Sequence, residues 1–317
     1  MAHRRDRKRD QSRRGAAPVS PIVVTQSSPA SLVGRVAAPE GGGGGAAPFF
    51  SDSFAGGATN PSGGFTYSNE LGALEYSAIV ASGDSGAQVK GGYTHSLRTR
   101  YLAQAIGLQD GNGQVNFTLG RECDSLWMEW EVYVPSNYTH RNNYTPGPPV
   151  VAMSDNNKFI HLWGNSYSNG YHQPNIELNT NGVTLDNPSD GKSYVLAKMR
   201  YSADQGSGFA GFNMEIDSGN PVLIGASSPM VPGTWNTVRY YTKKETTLGA
   251  ADGVWKLWVN GSVVLNLTGL KMGASDPAKY ATGVEYGYLL GAANSGFTAE
   301  TDFFTQWVKF YDTDPGW

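Results

Sequence analysis

The chain has one cysteine, Cys123, among its 317 residues, and it has few charged side chains. A single thiol excludes a disulfide framework and any zinc site built from cysteines. Charged residues make up 16% of the sequence, against roughly 25% in an average globular protein. No run of about 18 apolar residues is present, so no segment can form a membrane-spanning helix. Stability must therefore come from a buried core.

Helical periodicity is scarce as well. No stretch of about ten residues or more repeats its apolar positions with the helical period of about 3.6. Aromatic residues supply 12% of the sequence, and glycine is abundant, with 41 residues. This composition predicts an all-β protein that is secreted or displayed on a surface.

Positive charge is concentrated at the beginning of the chain. The seven cations there are Arg4, Arg5, Arg7, Lys8, Arg9, Arg13 and Arg14. They are opposed by Asp6 and Asp10, whereas the rest of the chain is acidic, with 17 Lys and Arg against 25 Asp and Glu. A basic arm of this kind suits phosphates or an acidic protein surface. No apolar segment follows the charges, so the arm does not read as a secretory signal.

The residues that follow the arm are a linker in composition. They are mostly Ala, Pro, Ser, Val and Gly, and they end in a glycine run at Gly41–Gly45. Such a segment cannot bury enough apolar surface to offset the entropy of ordering it. The sequence therefore predicts an arm and linker at residues 1–48 and a folded domain at residues 49–317.

Within this domain, apolar and polar residues alternate in short runs, as expected for β-strands with one buried face. The clearest run places Leu126, Met128, Trp130, Val132 and Val134 on one face, and Trp127, Glu129, Glu131 and Tyr133 on the other. The next run places Ile160 and Leu162 inward, with Phe159, His161 and Trp163 outward.

Further along the chain the same alternation recurs. Asn175 and Glu177 alternate with apolar neighbours, and so do Arg239, Tyr241 and Lys243. Two later runs are joined by Asn260-Gly261, a strong signal for a β-hairpin turn. Together these patterns predict a two-sheet antiparallel sandwich of roughly 260 residues.

The order of these strands resembles the concanavalin A-like jelly rolls of polysaccharide lyases and laminin-G-type lectin modules. The resemblance covers about residues 49–312. Its most specific parts are Trp127–Tyr138, leading into Lys158–Gly164, and the block Trp235–Gly261. The resemblance implies an antiparallel jelly roll whose concave sheet forms a glycan groove.

Alginate-lyase-type members of this group carry a Gln-x-His pair on one concave strand, arginines on a neighbouring strand and a tyrosine. His161 matches that histidine, but the glutamine position holds Phe159. The resemblance implies that Arg98 or Arg100 neutralises a uronate carboxylate, that His161 is the base and that Tyr241 protonates the leaving group. The alternative is structural: the arginines pair with Glu129 and Glu131 across the sheet.

A glycan-binding function needs no catalytic acid or base. Aromatic faces stack on sugar rings while polar side chains bond the hydroxyl groups. The candidates for glycan contact are Trp127, Glu129, Glu131, Tyr133, Phe159, Trp163, Asn175, Glu177, Arg239 and Lys243.

No cofactor is required by either function. Jelly rolls of this kind often hold a calcium ion that ties the first strand to the last, and the resemblance implies Asp52 and Asp312 as its ligands. The five histidines have no metal-binding spacing.

Three functions fit these features, and the sequence leaves open whether the domain is an enzyme. The first is a virion surface or decoration protein of a phage, because glycans lie outside cells and cell lysis releases virions without an export signal. In that case residues 1–48 bind other virion subunits and the jelly roll recognises a glycan. The second is a polysaccharide lyase that cleaves uronate-containing glycans by β-elimination. The third is a capsid shell protein whose basic arm binds the genome. The expected location is a virion surface, or outside the cell after lysis.

Overall fold

The computed structural model divides the chain between Gly41 and Gly42, and all described residues lie in the second part, Gly42–Trp317. The structure describes residues 46–55, 65–66, 77–103, 115–138, 157–164, 175–179, 194–199, 214–215, 222–223, 230–250, 252–270, 280–291, 297 and 299–317. The basic arm at 1–14 and most of the predicted linker lie outside these residues. No helix within the described residues is long and apolar enough to cross a membrane.

The described residues are almost entirely strands and the turns between them. The strands are β1 (Phe50–Asp52), β2 (Phe65–Thr66), β3 (Ser77–Ala81), β4 (His95–Tyr101), β5 (Val115–Cys123), β6 (Ser125–Val134), β7 (Asn157–Trp163), β8 (Asn175–Asn179), β9 (Tyr194–Met199), β10 (Met214–Glu215), β11 (Val222–Leu223), β12 (Thr234–Lys243), β13 (Gly253–Val259), β14 (Ser262–Leu270), β15 (Val284–Leu289) and β16 (Thr301–Tyr311).

These strands form two antiparallel sheets, so the two-sheet all-β prediction is confirmed. Sheet A has the order β14-β13-β12-β6-β16-β4-β3, and β1 pairs with β16. Sheet B has the order β10-β9-β8-β7-β15-β5-β2, and β11 pairs with β9. The first strand thus lies beside the last one, and most pairings join segments that are far apart in sequence.

Each sheet buries the apolar face that its alternation specifies. On β6, the side chains of Leu126, Met128, Trp130, Val132 and Val134 are all 0% exposed, as their spacing predicted. Contacts between the sheets come from large rings: Trp130 lies 4.6 Å from Phe159, and Phe117 lies 5.0 Å from Phe310, between ring centroids. Burial of aromatic rings of this size supplies a large share of a core's stability.

One sequence prediction fails at this core. Phe159 was expected on the outward face beside His161, but it is 0% exposed and packs against Trp130. The reason is a β-bulge: the pairing of β7 with β8 shifts register between Lys158 and Ile160. An extra residue in a strand reverses the alternation locally, so Phe159 and Ile160 both reach the core. Phe159 therefore cannot contact a glycan.

The hairpin of β13 and β14 forms as predicted. Asn260 and Gly261 connect the two strands with φ of 50° and 79°, which is the backbone of a type I′ turn. The Asn260 side chain accepts a hydrogen bond from the Thr237 backbone N–H at 2.8 Å, which ties the turn to β12.

Candidate active site

Each sheet presents one face to the core and one away from it, called here the outer face. On sheet A, the outer face holds most of the polar residues that the sequence singled out. They are Arg98, Arg100, Trp127, Glu129, Glu131, Tyr133, Arg239, Tyr241 and Lys243, as the strand register places them. On sheet B, the outer face holds His161 and Trp163, because their neighbours Ile160 and Leu162 belong to the core.

The two glutamates on the outer face of sheet A are already engaged. Glu129 accepts a hydrogen bond from Arg239 Nε at 2.6 Å, and Lys309 Nζ lies 3.5 Å from its other oxygen. Glu131, which is 1% exposed, pairs with the Lys90 ammonium and accepts a hydrogen bond from the Thr237 hydroxyl at 2.7 Å. A buried carboxylate needs such partners, so both residues serve the fold.

The two arginines of β4 differ in their partners. Arg100 is held by Asp302 through two hydrogen bonds, at 2.8 and 2.7 Å, and Glu300 lies 3.0 Å from it. The predicted alternative, pairing with Glu129 and Glu131, is wrong, because Asp302 is the residue directly opposite Arg100 on β16. Arg98 forms no ion pair with a described residue, and its Nε is buried without a partner there.

The centre of this outer face is covered by the loop between β3 and β4. Gln306 fixes the loop: its side chain accepts a hydrogen bond from the Lys90 backbone N–H at 2.9 Å and donates one to the His95 carbonyl at 2.8 Å. The Ser96 hydroxyl donates to the Gln88 carbonyl at 2.6 Å. The loop is therefore fixed against the middle of this face.

The outer face of sheet B brings a histidine and a tyrosine together. His161 on β7 lies directly opposite Tyr288 on β15, and its Nδ1 is 3.2 Å from the tyrosine hydroxyl. The rings meet edge to face, with centroids 5.5 Å apart. His161 is 1% exposed and Tyr288 is 2% exposed. The pair is therefore shielded from bulk water. Hydrogen bonds and charges act more strongly in such a buried site than in water.

A second aromatic pair continues this face along the same two strands. Trp163 lies opposite Tyr286, and their rings are nearly parallel, with 22° between planes and centroids 6.5 Å apart. Both are half-buried. Burial, followed by the charge of Glu285, raises the pKa of Tyr286, so its hydroxyl remains a donor. On the other side of β15, Asn116 lies opposite Tyr288.

Two glycines set the position of Tyr288. Gly287 turns toward the core, where a β-carbon would lie 2.4 Å from Phe117 Cζ and 2.6 Å from Leu162 Cδ2. Gly291, which follows β15, lies against the Tyr288 ring: a β-carbon at residue 291 would lie 2.5 Å from Tyr288 Cε2. A side chain at residue 287 would clash with the core, and a side chain at residue 291 would clash with the Tyr288 ring. The absence of side chains at both residues therefore sets the position of Tyr288.

The structure separates the residues that the resemblance had grouped. Arg98, Arg100 and Tyr241 lie on the outer face of sheet A, whereas His161 lies on the outer face of sheet B. These faces are on opposite sides of the sandwich, so the four cannot act on one sugar. The sequence did not identify Tyr288. Its signal was present in Glu285-Tyr286-Gly287-Tyr288, where tyrosines alternate with a glycine.

The remaining glycan candidates are also divided between the sheets. Asn175 and Glu177 lie on β8 of sheet B, next to β7, and their side chains lie outside the described residues. Trp127, Tyr133, Arg239 and Lys243 lie on sheet A.

The two predicted calcium ligands do not converge. Asp52 lies opposite Val308, and Asp312 lies four residues further along, about 13 Å away at the rise of a strand. Asp312 is bound by Arg121 at 2.8 Å, and among the described residues no group of three metal-ligating side chains occurs. Asp52 is buried; its Oδ1 accepts a hydrogen bond from the Phe54 N–H at 2.6 Å, and its Oδ2 has no hydrogen-bond partner among the described residues. A calcium site shared by these two carboxylates does not fit this arrangement.

A surface cleft of about 490 Å³ lies where β6 begins and β12 ends. Its buried cation is Lys244, which is bound to the carbonyls of Tyr280 and Thr282, at 2.9 and 3.3 Å, and to Asp124 at 2.5 Å. These contacts account for its three donors. Lys244 therefore holds the loops together.

Comparisons with known proteins identify the fold. No protein-family model matches the chain, and no curated protein matches it in sequence. Among solved structures, alginate lyase Aly36B superposes with a TM-score of 0.51 at 12% identity, covering 84% of this chain and 97% of that one.

Two further solved structures are similar to the chain at lower scores. The endo-β-1,4-glucuronan lyase from the fungus Trichoderma reesei has a TM-score of 0.49 at 13% identity, covering 85% of this chain and 99% of that one. An alginate lyase from Aplysia kurodai has a TM-score of 0.47 at 12% identity, covering 84% and 99%. The similarity to Aly36B confirms the predicted jelly roll. At 12% sequence identity it is evidence for the fold alone.

Proposed function

We propose that the protein is a polysaccharide lyase that cleaves uronate-containing glycans by β-elimination on the outer face of sheet B. One observation carries the proposal: His161 Nδ1 lies 3.2 Å from the Tyr288 hydroxyl, on neighbouring strands of a jelly roll. β-Elimination needs one group that removes a proton and one that supplies a proton, close to each other. Imidazole and phenol are suited to these two tasks.

The reaction follows from the geometry of this pair. Nδ1 of His161 faces Tyr288, so Nε2 is the nitrogen that takes the proton from C5 of the uronate. The C4–O bond breaks as a C4–C5 double bond forms, and the Tyr288 hydroxyl gives its proton to the departing oxygen. The hydrogen bond between the two residues then returns the Nδ1 proton of His161 to Tyr288. The proton from C5 remains on Nε2, and its exchange with water restores the starting tautomer of His161. Atoms and charges therefore balance over the cycle.

The neighbouring residues have supporting roles. Trp163 and Tyr286, half-buried at the open end of the pair, provide ring faces on which a sugar can stack. The Asn116 amide, opposite Tyr288, provides hydrogen bonds to the uronate carboxylate. Substrate enters from the Trp163 end, because His161 and Tyr288 are themselves buried.

The test is the ultraviolet absorbance of the unsaturated uronate, followed with alginate and glucuronan as substrates. We expect His161→Ala to lower kcat by about 100-fold or more. His95→Ala removes a histidine from sheet A, and we expect it to leave the rate unchanged. Arg98→Ala distinguishes the two faces: a large loss of activity in that variant, with His161→Ala fully active, would overturn the proposal.

The virion and capsid hypotheses depend on the arm, which lies outside the described residues. Nothing among the described residues or in the comparisons favours them over the lyase.

A further inference from the structure

The outer face of sheet A carries a cluster of aromatic rings far from His161. Trp127, Tyr241 and Trp258 lie on the neighbouring strands β6, β12 and β13, and all three are half-buried. Trp127 stacks on Tyr241 with centroids 3.9 Å apart and 23° between planes, and it lies 6.2 Å from Trp258 at 22°. Trp127 and the two rings that stack with it are called here the aromatic platform.

Positive charge surrounds the platform. Arg239, Lys243, Lys256 and Lys309 lie on the same face, according to the strand register. Glu129 is shared between Arg239 and Lys309, at 2.6 and 3.5 Å, and Lys256 makes no ion pair with any described residue. Two further carboxylates lie near these cations: Asp314 of the segment that follows β16, and Asp252 near Lys243. Four cations against three carboxylates leave this end of the sheet with a small positive excess, so the platform is suited to an anionic ligand.

A segment of the chain itself is seated on the platform. After β16, residues 313–317, called here the tail segment, run back over sheet A, and Pro315 within them is buried. The Trp317 ring stands edge-on to Trp127 and to Trp258, with centroids 5.2 and 5.4 Å away. The Arg239 guanidinium lies 4.8 Å from the Trp317 ring centroid.

The tail segment also contributes a carboxylate. Burial raises the pKa of Tyr241, and the charge of Asp314 raises it further. The platform therefore accepts a ring from its own chain, with a carboxylate nearby whose Oδ1 accepts a hydrogen bond from the Gly316 N–H at 2.8 Å. An acidic sugar offers the same combination, because its C–H-rich face stacks on indole and its carboxylate pairs with lysine or arginine.

The docking of the tail segment is incomplete. The indole N–H of Trp317 is buried and has no hydrogen-bond partner among the described residues. Burying an unpaired donor costs free energy that corresponds to about tenfold in a binding constant. A ligand that satisfies its own polar groups can therefore displace Trp317.

We propose that the aromatic platform is a second, non-catalytic binding surface for acidic polysaccharide, and that the tail segment competes for it. The choice of a polyuronate as ligand rests on the proposed function. Because the platform and the His161–Tyr288 pair lie on opposite outer faces, one polymer strand bound to the platform leaves the other face open to a second strand.

The experiment measures binding of oligouronates by isothermal titration calorimetry, with His161→Ala as the background so that no cleavage occurs. Trp317→Ala removes the ring that contacts the platform, and we expect it to tighten binding about tenfold. Adding Trp258→Ala should remove that gain, whereas Trp258→Phe, which keeps a ring, should retain most of it. Trp235→Ala, at a half-buried tryptophan that packs against Tyr133, is the matched control and should have no effect.

Three outcomes would overturn the inference. One is equal affinity of the Trp317→Ala protein with and without the added Trp258→Ala, with thermal melts showing that both proteins are folded. Another is equal affinity for a neutral glucan of the same length. The third is affinity that is unchanged by Lys256→Ala in the Trp317→Ala background. The lyase assay is separate: an inactive protein that binds through the platform would refute the proposed function alone, and an active protein without platform binding would refute this inference alone.

Discussion

The position of Gly287 is determined by the ring of Phe117. A β-carbon at residue 287 would lie 2.4 Å from Phe117 Cζ, a distance that non-bonded carbons do not reach. The same residue separates Tyr286 from Tyr288 on β15, with Leu162 of β7 on its other side. Core packing and the candidate catalytic tyrosine are thus linked through one residue.

We expect Gly287→Ala to lower the free energy of unfolding by about 1–3 kcal/mol, because the extra methyl group overpacks the core. It should also lower lyase activity by displacing Tyr288. Gly83→Ala is the matched control, since a β-carbon there meets nothing within 4 Å. Thermal and urea unfolding measure the difference, and equal stability of the two variants would contradict the packing described here.

The His161–Tyr288 pair predicts a division between binding and chemistry. Tyr288→Phe keeps the ring and removes the proton donor, so we expect kcat to fall about 100-fold with KM unchanged. Trp163→Ala removes a stacking surface, so KM should rise while kcat changes less. Steady-state rates on glucuronan and alginate measure both. A fall in kcat for Trp163→Ala, together with a rise in KM alone for Tyr288→Phe, would contradict the role of Tyr288 as the proton donor.

The buried Glu131 makes stability depend on Lys90. Lys90→Met leaves the Glu131 carboxylate, 1% exposed, with the Thr237 hydroxyl as its remaining described partner. We expect a loss of about 1–3 kcal/mol in the free energy of unfolding. Adding Glu131→Gln should recover part of it, because the uncompensated charge is gone. Asp312→Asn breaks an exposed ion pair with Arg121 and should change stability little.

Asp52 predicts a dependence of stability on pH. Desolvation by burial raises the pKa of Asp52 from 3.8 to about 6, against the opposing hydrogen bonds from the Phe54 and Ser53 backbones. The folded protein therefore holds this proton more tightly than the unfolded chain does. Stability from this group is fully present below about pH 4 and is lost as the pH rises through about 6, by up to about 3 kcal/mol.

Asp52→Asn should remove this slope and raise the unfolding free energy at pH 8, because the amide keeps the Phe54 hydrogen bond and carries no charge. Urea unfolding from pH 4 to pH 8 measures it. A slope that persists in Asp52→Asn would assign the titration to another group.

Much of the local structure could be predicted from sequence. Strict alternation on β6 fixed which side chains face the core, and Asn260-Gly261 fixed a hairpin. These features depend on neighbours in the chain, so they are readable from it. The bulge at Phe159 could not be predicted, because an extra residue in a strand shows only when its partner strand is known.

The sequence alone predicted a two-sheet β-sandwich, because it has alternating strands and no helical segment to cover their apolar faces, so one sheet packs on the other. The tertiary structure decided which chemical groups meet. Arg98 and His161 both alternate outward from their strands, yet β4 joins sheet A beside β16 while β7 joins sheet B beside β15. Strand pairing between distant segments is set by the packing of the whole core, which placed Tyr288 and not Tyr241 against His161.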